Sequence, residues 1–270
     1  SLTQNNQVSD LRIFNTVGTA INGTSAVNGT LARLEIANTT LSGVTMVNAT
    51  GTWDVASSSI ANSGGAGVAD LADTGALNWR VRNCTFSNST GVDTGSELGG
   101  NASRTIAVES NQSVASGEIY FLRAIGSGAV ALNVTNNRVE GQGVSLRGLD
   151  IDVLSTTQLA AVITGNNITG CTQSGIQLGA ADNSFVRARL EMNRLLGNAG
   201  SGFFSAATQN ADIGLLLRQN TSESFGFSQA NASDYKVGSF SQLNSSLGNV
   251  GTNTTFGVIQ DVDPATLGLP

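Results

Sequence analysis

Two aspartates, Asp150 and Asp152, are the residues of this chain whose type and spacing come nearest to a reactive site. Arg147 precedes the first of them by three residues. Two carboxylates held this close together can bind Ca²⁺ or perform acid and base steps on a sugar. The competing interpretation, which the sequence favours, is that they are surface charges exposed to solvent, some of them paired with neighbours.

A second charged group follows in Arg187, Arg189 and Glu191, which alternate along one segment and therefore point outward together. The chain contains no histidine, which excludes His-based triads and most His metal sites. No phosphate-binding or dinucleotide-binding glycine motif is present. We therefore assign no catalytic, cofactor-binding or metal-binding residue and expect no cofactor, and catalysis is left open but not favoured.

Charge and hydropathy exclude further classes of function. The net charge is −6, and Lys236 is the single lysine. Without a basic face to contact phosphates, the chain is not expected to bind nucleic acid. No apolar run approaches the ~18 residues of a membrane-spanning helix. The chain opens at Ser1 in polar, turn-like sequence, as a mature product or a piece of a longer protein does.

A repeated spacing organises the elements that would carry these residues. Five apolar-x-x-Asn segments place asparagines 26, 29, 27 and 27 residues apart, and earlier coils have Leu34, Ser58 and Cys84 at the same position. The asparagines are Asn111, Asn137, Asn166, Asn193 and Asn220. A fixed period of this size is typical of a solenoid, in which each coil buries its apolar residues against its neighbours.

Two apolar columns keep the same period and are predicted to form inward stacks. The first lies two residues after the asparagine position: Ile36, Ile60, Phe86, Ser113, Val139, Ile168, Leu195 and Ser222. The second follows about eight residues later: Val44, Val68, Val92, Ile119, Val144, Ile176, Phe203 and Phe227. Short alternating strands between Gly and Asn turns then predict three-sided coils, with parallel strands about 4.8 Å apart. We expect the stacked asparagine amides to bond to one another and to the turn backbone.

These strands and inward asparagines resemble the right-handed parallel β-helix superfamily, the pectate-lyase-like solenoids, over about residues 6–240. The resemblance implies an all-β, single-stranded right-handed parallel β-helix of about nine coils. It is closer to surface and adhesin-type solenoids than to a specific enzyme. In the lyases of that superfamily, Asp ligands for Ca²⁺ and an Arg base cleave uronates, but no residue here matches that pattern by position.

Two regions depart from the period. The step from Val144 to Ile176 is 32 residues long, and the excess predicts a loop projecting from the rod around residues 147–154. After residue 240 the repeat fades, and both prolines, Pro264 and Pro270, lie in this tail. We predict one β-helix domain over residues 1–240 and a cap or linker over 241–270.

The two cysteines, Cys84 and Cys171, are predicted to be buried free thiols. They fall about three coils apart, roughly 14 Å, which exceeds the ~7 Å limit between bridged α-carbons.

Fourteen Asn-x-Ser/Thr acceptor sequences make glycans possible partners. The acceptors are Asn22, Asn28, Asn38, Asn48, Asn83, Asn88, Asn101, Asn111, Asn133, Asn167, Asn220, Asn231, Asn244 and Asn253. The alternative is that solenoid turns simply favour Asn, Ser and Thr together. Asn111 and Asn220 are expected to face inward, where no glycan fits.

The expected function is that of a non-catalytic extracellular or cell-surface structural solenoid, such as an adhesin or passenger stalk or a surface-layer or filament subunit. The first alternative is a carbohydrate-active β-helix enzyme or carbohydrate-binding module. The second is a phage or virus fibre. Because open coil edges accept further strands, we expect contacts with other copies or further repeats through the solenoid ends.

Overall fold

The computed structural model describes residues 4–245 and 247–270 and shows a parallel β-solenoid. An 11-stranded sheet forms one side of the rod, and an 18-stranded sheet forms the other two. Eleven strands on the first side correspond to about ten turns, one more than the sequence predicts. Residues 1–3 of the predicted domain and residue 246 of the tail lie outside the described residues.

The first side consists of strands that all pair in parallel, each with its equivalent in the next coil. They are Gln4–Ser9, Val27–Ala32, Thr50–Ala56, Ala76–Arg82, Ser103–Glu109, Ala129–Thr135, Gln158–Thr164, Phe185–Glu191, Asp212–Arg218, Asp234–Gly238 and Gln260–Val262.

The second and third sides share the 18-stranded sheet. The second side holds Arg12–Thr16, Glu35–Thr39, Ser59–Ser63, Thr85–Ser87, Gln112–Val114, Arg138–Glu140, Asn167–Thr169 and Arg194–Leu195. The third side holds Ile21–Thr24, Val44–Val47, Val68–Ala72, Thr94–Leu98, Tyr120–Gly126, Leu149–Ser155, Ile176–Ala180 and Phe203–Ala207. Thr221–Gln229 continues both sides and pairs with Val250–Phe256. The helical part of the described chain is limited to two short 3₁₀ turns, Phe240–Gln242 and Pro264–Thr266.

The first predicted inward stack is confirmed. Each member pairs in register with the next, from Ile36 and Ile60 through to Ser222. Ile60, Phe86, Val139 and Ile168 are all 0% exposed. The column is reliable because the second-side strands follow the asparagine corner at a constant distance.

The second predicted stack is confirmed at four positions and wrong at four. Val44, Val68, Ile176 and Phe203 occupy one inward column. The residues in register with them are Thr94, Tyr120, Leu149 and Phe225, in place of Val92, Ile119, Val144 and Phe227. The turn between the second and third sides varies in length, so counting from the asparagine does not fix the register there.

The asparagine ladder is confirmed and extends one coil further than predicted. Oδ1 of Asn166 accepts from the backbone N–H and the Nδ2 of Asn137, both at 3.0 Å. Its own Nδ2 donates to the carbonyl of Val134 at 2.9 Å and to Oδ1 of Asn193 at 2.9 Å. The pattern repeats to Asn249, which lies in the predicted tail. Each buried amide is thereby satisfied by the neighbouring coils.

The left-handed corner lies one residue before each ladder asparagine and not at the asparagine itself. Positive φ angles occur at Ser110, Asn136, Gly165, Met192, Gln219 and Gly248. The ladder asparagines are therefore selected for their hydrogen bonds, and the corner also accommodates residues such as Met192, whose φ is 54°.

Both sheets continue past residue 240. Val250–Phe256 pairs with Thr221–Gln229, and Gln260–Val262 pairs with Asp234–Gly238. Between these strands, Leu243 is buried and the Phe240 ring packs edge-on against Phe227 at 5.4 Å. The role of residues 241–270 as a cap or linker stays a prediction.

The prediction for the cysteines is confirmed, since Cys84 and Cys171 are both free and buried. Cys84 takes a ladder position, where its N–H donates to Oδ1 of Asn111 at 2.9 Å. Cys171 lies at a different corner and donates in the same way to Asn198. Burial raises the pKa of the Cys84 thiol to about 11 and that of Cys171 to about 12, so neither thiol is reactive near neutral pH.

Candidate functional site

Asp150 and Asp152 lie on the outer face of the third side, in strand Leu149–Ser155. The strand alternates strictly, so every second side chain enters the core. The inward residues, all 0% exposed, are Leu149, Ile151 and Val153. The two carboxyl groups therefore point to the same outer face of the sheet, as the sequence predicts for a pair spaced by two.

The predicted projecting loop is displaced from its expected position. Residues 149–155 form a regular strand, and the extra residues of this coil occupy the preceding turn, 141–148. Val144 and Leu146 are 61% and 50% exposed at this turn. The repeat spacing assigned the extra residues to the correct coil. The alternation of apolar and polar residues from residue 149 onward, however, already indicated a strand and not a loop.

One residue of this turn, Arg147, pairs with the first aspartate. Asp150 is 5% exposed, and Nη1 of Arg147 donates to its Oδ2 at 2.6 Å. Its Oδ1 makes no hydrogen bond. Burial raises the pKa of Asp150 to about 6, although Arg147 lowers it, and the nearby charges of Asp152 and Glu118 add to the increase.

Asp152 is half-buried and lies against a glycine of the next coil, its register partner Gly179. A β-carbon on Gly179 would lie 2.7 Å from Oδ1 of Asp152, so a larger residue there would require this carboxylate to shift. Burial raises the pKa of Asp152, while Arg147 and Arg123 lower it. Arg123 is its register partner in the preceding coil.

The second charged group lies elsewhere on the rod. Arg187, Arg189 and Glu191 are on the first side, whereas the aspartates are on the third. Arg187 is held by Asp212 through bonds of 2.9 and 3.0 Å, and its guanidinium lies 3.7 Å from the ring centroid of Phe185. The fold thus separates the two charged groups that the sequence analysis singled out.

This arrangement limits what the aspartates can do. Acid catalysis on a sugar needs a protonated carboxyl within hydrogen-bond reach of the substrate, together with a second carboxylate. The raised pKa of Asp150 favours its protonated form only below about pH 6, and the side chain is nearly fully buried and paired with Arg147, which keeps it from a substrate. In the part of the chain that the structure describes, no three His, Cys, Asp or Glu side chains are grouped to hold a metal ion.

A shallow groove runs along the outer face of the first side. Its volume is about 430 Å³, and its floor consists of small side chains from four successive coils. Among them are Ala76, Thr105, Ala131 and Ala160, and Phe185 lies at one end. No carboxylate lines this groove, so it provides no acid or base from the described residues.

Charged residues inside the core were missed by the sequence analysis. Arg104 and Asp70 form an ion pair with 0% side-chain exposure, in which Nε donates to Oδ2 at 2.6 Å. Asp93 is likewise 0% exposed. The alternation of inward and outward residues along each strand could have identified this pair. Asp70 lies two residues after the inward Val68, and Arg104 lies two residues before the inward Ile106, so both side chains point inward.

The acceptor sequences for glycans divide by burial. Asn111 and Asn220 are 2% and 1% exposed, as predicted for ladder positions. Nine are exposed: Asn22, Asn38, Asn83, Asn88, Asn101, Asn133, Asn231, Asn244 and Asn253. Three are half-buried: Asn28, Asn48 and Asn167.

Comparison with protein-family models, with curated proteins and with solved structures finds no significant match. Across the described residues, the two helical turns are far too short to cross a membrane.

Proposed function

We propose that this chain is a non-catalytic structural solenoid of the cell surface or extracellular space, serving as a stalk or as a subunit of a filament or surface layer. We also propose that it is related to the pectate-lyase-like β-helices, and most closely to their adhesin-type members. The observation that carries the proposal is the continuous hydrogen-bonded ladder, which joins coil to coil from Cys84 to Asn249.

The surface charges support the same function. Most ion pairs join one coil to the next, as Arg33 to Asp10, Arg82 to Asp54 and Arg187 to Asp212 do. Each exposed pair contributes little to stability, about 0–1 kcal/mol. Their arrangement nevertheless leaves few charged groups free to converge on a substrate, which fits a rod that acts through its shape.

The first coil supports contacts through an end of the rod. Ile13 is half-buried, whereas Ile36 and Ile60 of the same column are 1% and 0% exposed. Val17 and Phe14 are 91% and 46% exposed nearby. Strand edges of this kind accept further strands, so we propose that another copy or further coils lie against this end.

One specific observation favours a carbohydrate-active enzyme as the second candidate. Asp150 and Asp152 are two outward carboxyls separated by about 7 Å of strand, and the pKa of Asp150 is raised to about 6. Because Asp150 is buried and paired with Arg147, we rank this candidate second.

The proposal predicts that acidic and neutral polysaccharides, incubated with the protein with and without Ca²⁺, give no product. The physical reason is that the described residues assemble no accessible pair of acid and base. The assay is reducing-end and unsaturated-product detection over the panel. Turnover that is lost in Asp150→Asn or Asp152→Asn, but kept in Glu191→Gln on the first side, would overturn the structural function and establish the enzyme.

A further inference from the structure

A buried carboxyl group, Asp93, lies at the turn that leads into strand Thr94–Leu98. It is 0% exposed and takes no part in the function proposed above. The inward column of the second side has Ser113 next to it, between Phe86 and Val139. A small polar residue thus replaces a large apolar one where the carboxyl group enters the core.

The polar contacts of Asp93 all link it to neighbouring coils. The Ser116 hydroxyl donates to Oδ1 at 2.5 Å, and Oδ2 makes no hydrogen bond. The backbone N–H of Asp93 donates to the carbonyl of Glu118 at 2.7 Å. On the other side, the N–H of Val68 donates to the carbonyl of Asp93 at 2.8 Å. Asp93 is therefore part of the joint between three successive coils.

No positive charge compensates this carboxyl among the described residues that act on it. The following coil contributes Ser113, Ser116 and the acidic Glu118, and the preceding coil contributes Gly67 and Val68. Burial raises the pKa of Asp93 to about 7, the Glu118 charge adds to the increase, and the two serines oppose it. Asp70, by contrast, has Arg104 as its partner.

We propose that Asp93 is a proton-dependent joint of the solenoid: its neutral acid holds the coil of residues 84–95 against that of residues 111–120, and ionisation loosens this contact. A buried charge without a partner is costly, and that cost is relieved only if Asp93 binds a proton or the joint opens toward water. The solenoid is therefore more stable in mild acid than at neutral pH.

The direction in which pH changes the stability follows from the difference between the folded-state and ordinary pKa values of Asp93. The folded-state pKa of about 7 lies above the ordinary value of 3.8, so the stabilisation is complete below about pH 3.8 and is lost as the pH rises to about 7. Asp150, with a pKa of about 6, acts in the same direction. No histidine titrates in this window. Asp10, whose pKa Arg33 lowers to about 2, acts in the opposite direction but only below 3.8.

The test is urea unfolding of the wild type, Asp93→Asn and Glu97→Gln at pH 4.5, 6 and 8. Glu97 is an exposed carboxylate of the strand that follows Asp93 and serves as the matched control. We expect Asp93 to contribute about a hundredfold to the difference in the unfolding equilibrium constant between pH 4.5 and 8. Asp93→Asn should remove that part and be more stable than the wild type at pH 8, whereas Glu97→Gln should follow the wild type.

Equal pH dependence in Asp93→Asn and the wild type would overturn the proposal. Should the variant not fold, the wild type labelled with ¹³C at the aspartate carboxyls provides a second measurement. The expected result is that the carboxyl resonance assigned to Asp93 by its through-bond connection to the backbone titrates near pH 7 in the folded protein. An Asp93 resonance that titrates below pH 5 would contradict the proposal.

Discussion

Replacing Ile168 with aspartate is expected to destabilise the solenoid by about 4–5 kcal/mol or more, enough to unfold it at ordinary temperature. Ile168 is 0% exposed and lies between Val139 and Leu195 in the inward column. The new carboxylate would be buried between the apolar side chains of Val139 and Leu195. Urea or thermal unfolding followed by circular dichroism measures the change.

Asn167→Asp is the matched control for this substitution. Asn167 is on the same strand with opposite parity and pairs in register with Arg138 and Arg194. A charge there faces solvent and two guanidinium groups, so we expect a change within about 0.5 kcal/mol. If Ile168→Asp and Asn167→Asp unfold alike, the inward column has been assigned to the wrong residues.

Replacing Arg104 with methionine is expected to cost about 3–5 kcal/mol at neutral pH, because it leaves Asp70 buried without its cation. Arg104 also donates from Nη1 to the carbonyls of Gly75 and Ser103, at 2.9 and 3.0 Å. Those two hydrogen bonds would be lost as well. The measurement is the free energy of unfolding from urea titration.

The double variant Arg104→Met with Asp70→Leu separates loss of the pair from loss of packing. The register neighbours of Asp70 include Met46 in the preceding coil, and Leu122 lies one coil beyond Ser96. An apolar pair should therefore be accommodated, and replacing both members of a buried pair is often neutral. We expect the double variant to recover most of the lost stability. A double variant as unstable as Arg104→Met would show that packing, and not the ion pair, dominates at this position.

The sequence predicts those parts of the fold that keep a constant distance from the asparagine corner. Ile60, Phe86 and Ile168 were assigned correctly because the inward residue of each second-side strand lies two residues after the ladder position. Val92 and Val144 were assigned wrongly because the next turn differs in length from coil to coil. Tertiary pairing fixes the register there, and local spacing does not contain that information.

The sequence predicts which residues form the candidate site but not whether a substrate can reach them. Alternation alone places Asp150 and Asp152 on one outer face. The burial of Asp150 and its contact with Arg147 depend on the conformation of the preceding turn, which a repeat pattern does not specify. The separation of Arg187 from the aspartates depends on which side of the coil each strand occupies, which follows from the turns between them.

The most direct test of the rod is a distance between two spin labels, at Ser59 and Arg194. Both side chains are exposed on the second side, and five register steps join them through Thr85, Gln112, Arg138 and Asn167. Cysteines introduced there can be labelled in the native protein, because Cys84 and Cys171 are buried. At about 4.8 Å per step, we expect a narrow distribution centred near 24 Å between the backbone positions. A broad distribution, or a separation that differs by two or more steps, would contradict the stacked coils on which the proposed function rests.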